Sequence, residues 1–380
     1  MDILDGDRRD LSIDATETPR VGPPGDLRVS PLLPIPALLA ARGADVALAF
    51  ARAAVEPVLF ERPDNRISIA AGGRLLAICA EMTGCRHFGL LLAEGFDLKG
   101  LGPIGELMRH CANVGDALEA LVRHFHLHDR GAAPVLLSPD RSSVLFGYSV
   151  FRHDLEGVDQ IHATAIAIGC KILRELCGPA FSPIRVQFAF ARPRSIAPYG
   201  RLFSANLAFD ADISAIVFDS SWLSRPLEGA DPAARQRCQR AILEAEAHGP
   251  ICFGERVESA LHQLVLSGDA SSEAVAALFD VHERTLRRLL RDEGKSLREL
   301  VSRTRGELAR QLLSNTALPV SEIAASLHYD DANAFSRAFR NWTGHSPTQW
   351  RARDNSNGII DLSGLSSPTT GESSSSEPER

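Results

Sequence analysis

Residues 330–342, DDANAFSRAFRNW, carry two stripes of different chemistry at one helical period. Phe335, Ala338, Phe339 and Trp342 fall at i, i+3, i+4 and i+7, the spacing of a helix face turned to a core. Asn333, Ser336, Arg337 and Arg340 repeat that spacing two residues out of phase, so another face of the same helix is polar. Residues 282–294, HERTLRRLLRDEG, repeat the design, with Arg284, Arg287, Arg288 and Arg291 on one face and Leu286, Leu289 and Leu290 behind them. Each stretch follows a shorter amphipathic one, SEAVAALF at 272–279 and VSEIAASL at 320–327. The pattern predicts two helix-turn-helix units about fifty residues apart.

Other helices frame these units. Val257, Leu261, Leu264 and Val265 mark one that stops at Gly268. Leu297, Leu300, Val301, Leu308 and Leu312 mark another over residues 296–315. At 1.5 Å per residue that helix is about 30 Å long, near the ~34 Å between successive major-groove faces of DNA. A last helix has its own start signal, with Ser346 as N-cap, Pro347 at the first position and Gln349 reaching back.

Upstream the period changes. Residues 31–83 are spaced as helices, as in Leu75, Leu76, Cys79 and Met82, with a break at PDNR, 63–66. Short helices separated by glycine turns follow, the longest starting near Asn113 or Gly115 and turning Ala117, Leu118, Leu121, Val122 and Phe125 inward. Residues 135–137, 144–150, 186–191 and 216–218 read as strands. Between them, residues 158–177 form a helix with Ile161, Ala165, Ile168, Ile172 and Leu176 on one side. Residues 1–28 and 354–380 are polar and are expected to be disordered.

Composition narrows the function. A chain of 380 residues is long enough for two domains. Its net charge of −7 argues against wholesale capture of nucleic acid, so any affinity for DNA has to come from local contacts. Arg284, Arg287, Arg288, Arg291, Lys295, Arg298, Arg303, Arg305 and Arg310 form a run that a binding domain would present locally. Asn and Arg pair bidentately with adenine and guanine edges, and Ser bonds either. No apolar run is long enough for a membrane span and no signal peptide is read, so a cytoplasmic protein is expected. Seven scattered cysteines fit buried free thiols in a reducing compartment.

Catalytic and metal chemistry find little support. Gly294-Lys295-Ser296 resembles the end of a phosphate loop, but Leu289 stands where the earlier glycine belongs. There is no Gly-x-Ser-x-Gly elbow and no Cys-x-x-Cys pair, so neither an enzyme nor a cofactor is expected. His124, His126 and His128 share one side in an extended segment. They read either as a metal or pH-sensing cluster or as cations at a negative helix end.

About a hundred residues, from about Gly254 to Arg353, resemble the AraC/XylS family of bacterial transcription regulators. The resemblance rests on VSEIAASLHYDDANAFSRAFRNWTGHSPTQWR, with Ile323-Ala324, Tyr329, Phe335, Arg337-Ala338-Phe339, Gly344, Pro347 and Trp350-Arg351 in the family's places. His328 departs from it, standing where the family usually has Gly at a left-handed helix end. FGLLLAEGFDLKGLGPIGELMRHCANVGDALEAL and LFSANLAFDADISAIVFDSSWLSRPLEGADP resemble the arabinose-binding-like effector domain of one branch of that family.

The resemblance implies a mixed α+β effector domain at 29–228, a linker helix at 229–253 and, at 254–353, an all-α domain of two helix-turn-helix units joined by a long helix. It places base-reading positions at Arg284, Arg287, Arg288, Asn333, Ser336 and Arg337, with Arg291 and Arg340 completing the two polar stripes. It implies an activator that binds promoter DNA, answers to a small organic effector, meets RNA polymerase and forms homodimers. The alternative is an architectural or constitutive DNA binder whose first domain only dimerises.

Overall fold

A computed structural model describes residues 26–357, apart from 139, 140, 153, 249–251 and 280. The chain begins with strand β1 (Asp26–Arg28) and helices α1 (Ile35–Ala40) and α2 (Val46–Ala53), followed by β2 (Arg66–Ser68) and α3 (Ile69–Thr83). Next come α4 (Phe88–Leu92), α5 (Pro103–Arg109) and α6 (Val114–His124), the hairpin β3 (Ala132–Leu137) and β4 (Ser143–Val150), and the long α7 (Val158–Cys177). β5 (Arg185–Gln187), α8 (Ala197–Phe203), β6 (Asn206–Ala208) and β7 (Ser214–Asp219) complete this domain. Helix α9 (Pro232–His248) leads to α10 (Phe253–Leu266), α11 (Ser272–Leu278), α12 (Glu283–Asp292), α13 (Leu297–Asn315), α14 (Val320–Ser326), α15 (Ala332–Thr343) and α16 (Pro347–Asn357).

Five strands form one sheet in the order β3-β4-β7-β5-β6, antiparallel except for β5 beside β6. The expected strand at 186–191 is cut short after Gln187, and β6 was not legible because three residues carry no measurable alternation. Two expected boundaries also move. Asp26–Arg28, placed in a disordered segment from composition, pairs antiparallel with Arg66–Ser68. At the other end α16 runs to Asn357, past the expected limit of 353. The rest of the two polar ends, 1–25 and 358–380, lies outside the described residues.

Local sequence explains most helix ends. Ser68 caps α3 by accepting from the Ala71 amide at 3.2 Å, and Asn113 caps α6 by accepting from that of Asp116 at 2.8 Å. Helix α7 differs from the one-sided helix that its spacing predicts. Apolar residues close it in on nearly every side, because the sheet covers one flank and α3 and α4 cover the other. The contact with α4 needs Gly89, since a Cβ there would lie 2.5 Å from the Gln160 carbonyl oxygen. The Gln160 side chain accepts from the Gly89 amide at 3.0 Å, and the Thr164 hydroxyl lies 3.1 Å from the Gly89 carbonyl. Two apolar cores meet at α7, one under the N-terminal helices and one against the sheet.

All seven cysteines are free thiols; Cys79, Cys111, Cys170 and Cys177 are buried. Burial pushes Cys79 and Cys177 up to about 12, which leaves them protonated and unreactive. Among the described residues no helix is long and apolar enough to cross a membrane.

Three buried histidines give stability a pH dependence of definite sign. Burial is the first cause that holds His128 down at about 3 and His162 and His262 at about 4, against an ordinary 6.5. Below about pH 6.5 the unfolded chain therefore binds more protons than the folded one. Stability is full above that pH and falls on acidification, by up to ~1.4 kcal/mol per pH unit for each histidine. Urea midpoints should drop steadily between about pH 6.5 and 4, and His162→Gln should flatten that slope; an unchanged slope would contradict the assignment.

Candidate nucleic-acid interface

The two helix-turn-helix units are built on small cores. In the first, Val257 and Leu261 of α10, Val275 and Ala276 of α11, Leu286 and Leu290 of α12 and Leu300 of α13 are buried together. In the second, Val265, Leu308, Ala309, Leu312 and Leu313 pack with Ile323, Ala324, Phe335 and Phe339. Phe335 and Phe339 have no exposed surface, and truncating either to Ala would cost ~3–5 kcal/mol. The apolar stripe of 330–342 is thus spent on α14, α10 and α13, and the displaced polar stripe is left outside.

Helix α15 starts where Asp331 accepts from the Ala334 amide at 2.7 Å and ends at Gly344, with φ +76°. Asn333, Arg337 and Arg340 are exposed. Ser336 is half-buried, and its hydroxyl donates to the Ala332 carbonyl at 2.7 Å, so contact with a base requires it to rotate away. Ala332 is also half-buried and has no side-chain donor, so a thymine methyl is the one base group it could meet.

On α12 all four of Arg284, Arg287, Arg288 and Arg291 are exposed. Arg287 forms an ion pair with Glu283 at 2.8 Å and Arg288 with Asp292 at 3.5 Å, both side chains remaining 63% exposed. Such surface pairs within one helix are weak, ~0.3–0.5 kcal/mol, and yield readily to a phosphate or a guanine edge.

The broader basic run at 284–310 does not form one face. Arg303 pairs with Glu258 at 2.8 Å, Arg310 pairs with Glu307, Lys295 lies 3.4 Å from Glu293, and Arg305 stacks over the Tyr329 ring at 5.7 Å. These four cations have partners within the domain, whereas the arginines of α12 and α15, and Arg298 near the start of α13, are exposed.

Several residues of the C-terminal motif act as fasteners. Arg351 donates to the Leu313 carbonyl at 3.2 Å and the Leu318 carbonyl at 2.6 Å, closing the C-terminus of α13. Trp342 and Trp350 donate to the hydroxyls of Ser302 and Ser314. Ser346 and Gln349 form the expected reciprocal cap, at 3.2 and 2.9 Å. His328 takes the left-handed conformation at φ +58°, and its ring lies 3.1 Å from the Leu266 carbonyl, a contact that glycine could not make.

The histidine cluster divides. His124 and His126 both meet the carboxylate of Glu246 on α9, at 2.8 and 3.0 Å, and Arg256 of α10 approaches its other oxygen at 3.6 Å. Burial opposes ionisation of Glu246, but the hydrogen bond with His124 and the close approach of His126 outweigh it and hold the carboxyl well below its usual range. His128 lies beyond a short 3-10 turn, Phe125–Leu127, and faces an interior cavity instead. Among the described residues no group of three or more His, Cys, Asp or Glu could hold a metal ion.

Comparison with known proteins agrees with this architecture. Residues 43–227 match the arabinose-binding N-terminal domain of AraC transcription regulators, and residues 275–353 match a helix-turn-helix domain. The transcriptional regulator VqsM of Pseudomonas aeruginosa is 30% identical over 274 residues, 69% of this chain and 83% of that protein. The regulator VirS of Mycobacterium tuberculosis is 29% identical over 82% of this chain and 92% of its own length. A crystal structure of the transcriptional regulator CdpR from Pseudomonas aeruginosa covers 85% of this chain and 98% of that one, at 21% identity and a TM-score of 0.42. With an N-terminal arabinose-binding-type domain, a C-terminal helix-turn-helix domain and an exposed polar stripe on α15, the chain belongs to the AraC family of DNA-binding transcription regulators.

Proposed function

We propose that this regulator is an effector-responsive activator that reads two neighbouring major-groove segments of promoter DNA with α12 and α15. The observation that carries the reading is the pair of exposed polar stripes, Arg284, Arg287, Arg288 and Arg291 on one helix and Asn333, Arg337 and Arg340 on the other. Helix α13, nineteen residues long, links the two cores that support them. At about 28 Å, its length suits one groove repeat.

Response to an effector is supported by how the domains touch. Phe151, just after β4, stacks on His262 of α10 at 4.1 Å, and the Gln311 side chain of α13 donates to the Val150 carbonyl at the end of the same strand. Asp210 accepts from the Ala317 amide at 3.1 Å, and Leu266 packs on Val135, Ile213 and Ala215. A first domain serving dimerisation alone would need no such seat on the reader. In this reading the partners are promoter DNA, RNA polymerase, a small organic effector and a second copy of the chain, all in the bacterial cytoplasm. A promoter fusion in a strain lacking the gene decides the sense of regulation, activation being a fall in expression.

Arg287→Ala should weaken binding to the operator by ~1–3 kcal/mol and relax preference at one base pair, with Asn333→Ala doing the same at a second. Gel-shift titrations on operator and random DNA check this; equal losses on both would make Arg287 a phosphate contact. Phe151→Ala should leave effector-free operator affinity within about twofold while reducing the effector response several-fold, since allosteric coupling is usually worth ~1–3 kcal/mol. An unaltered response would remove the β4–α10 contact from the route.

A further inference from the structure

The first domain bounds a partly open cavity of about 90 Å³ between α3, α7 and the β3-β4-β7 face. That is several times the ~10–15 Å³ one water needs. Its walls are mainly hydrocarbon, including Ile69, Leu76, Phe146, Ile161, Ile168 and Ile172. A sugar could not bury its hydroxyls there without leaving most of them unpaired. Of the polar side chains that reach the lining, two are already engaged. The Tyr148 hydroxyl donates to Asp129 at 2.7 Å, and the Thr164 hydroxyl is shared between the Gln160 and Gly89 carbonyls at 2.8 and 3.1 Å.

The third is His128, 4% exposed, whose ring Nδ1 has no hydrogen-bond partner. Two guanidinium groups lie close enough to disfavour its protonation, those of Arg28 and Arg66. Arg28 is itself 8% exposed with Nη1 unpartnered, although its Nη2 meets Asp64. One wall of an otherwise apolar cavity is therefore a buried imidazole with an idle nitrogen, near the guanidinium groups of Arg28, which is paired with Asp64, and Arg66, and next in the chain to the buried carboxylate of Asp129.

We propose that this cavity is the effector site and that it takes a hydrocarbon-rich organic acid, an apolar body with a single carboxylate seated at His128. The inference deepens the effector-responsive reading above and rests on it. The apolar body fills space that water would not stabilise, and the carboxylate accepts from His128 Nδ1–H in a field set by Arg28 and Arg66. Arabinose, despite the domain's family description, has the wrong chemistry for these walls.

The test uses the full chain and four probes, sodium octanoate, benzoate, 1-octanol and L-arabinose, followed by calorimetry and thermal shift. Octanoate or benzoate should bind saturably at one site per chain, and arabinose should not. His128→Ala should weaken the acid at least tenfold and leave the alcohol within about twofold. Ala165→Phe, which fills the cavity, should abolish binding; should that variant fail to fold, Leu76→Phe asks the same question from the opposite wall. Arabinose binding, or acid binding untouched by both filling variants, would overturn the proposal, and equal affinity for octanoate and octanol would overturn the carboxylate assignment. Operator occupancy is measured in parallel. Acid binding without any change in occupancy supports the site and overturns effector response, whereas a response to some other metabolite without acid binding overturns the site alone.

Discussion

The DNA-binding half depends on two helices that each belong to two cores. Helix α10 gives Val257 and Leu261 to the first unit and Val265 to the second, and α13 gives Leu300 to one and Leu308 to Leu313 to the other. Neither unit has enough apolar residues to stand as an independent domain, since small cores leave little surplus over chain entropy. Sharing α10 and α13 joins them into one body, and it fixes the separation of α12 and α15 by helix length rather than by a flexible loop. If α12 and α15 both enter grooves, as proposed, one chain spans two groove segments without dimer symmetry.

The effector half is organised by burial of α7. A helix enclosed on nearly every side must be met by several elements at once, and Gly89 and the Gln160 and Thr164 side chains let α4 approach closely. Tight packing at that end contrasts with the cavity bounded by α3, α7 and the sheet. Native cores normally lack voids of this size. The walls of the cavity are distributed over three distant segments of the chain.

That distribution explains what the sequence could disclose. The polar stripes of α12 and α15 and the Ser346–Gln349 cap are encoded within a few residues, so spacing alone reveals them, whereas spacing left the start of α6 open between Asn113 and Gly115. The β1–β2 ribbon, strand β6 and the cavity are made by residues far apart in the chain, and no local period marks them. The basic run at 284–310 misled in an instructive way: Arg303, Arg305 and Arg310 are as cationic as Arg287, but their partners Glu258, Tyr329 and Glu307 are set by tertiary packing and nearby turns. Likewise His124, His126 and His128 alternate in sequence, yet the 3-10 turn sends the third into the cavity while Glu246 of α9 gathers the first two.

The route from cavity to reader is short. Tyr148 lines the cavity and also borders a smaller gap shared with Leu266, Leu308, Gln311 and Leu312 of the DNA-binding domain. Two residues further along β4, the Val150 carbonyl receives Gln311, and Phe151 meets His262. The Tyr148 ring is held by Asp129 on one side and stands edge-on to Phe125 and His162 at 6.2 and 6.3 Å. A ligand that shifted Tyr148 by even part of an ångström would have to move β4 or break the bond to Asp129, because close-packed aromatic neighbours do not deform continuously. Since α13 carries Gln311 and also belongs to both helix-turn-helix cores, a displacement delivered there would move α12 and α15 together relative to the first domain. An effector that binds one placing better than the other by ~1–3 kcal/mol would alter promoter occupancy by roughly 5–150-fold, without touching DNA.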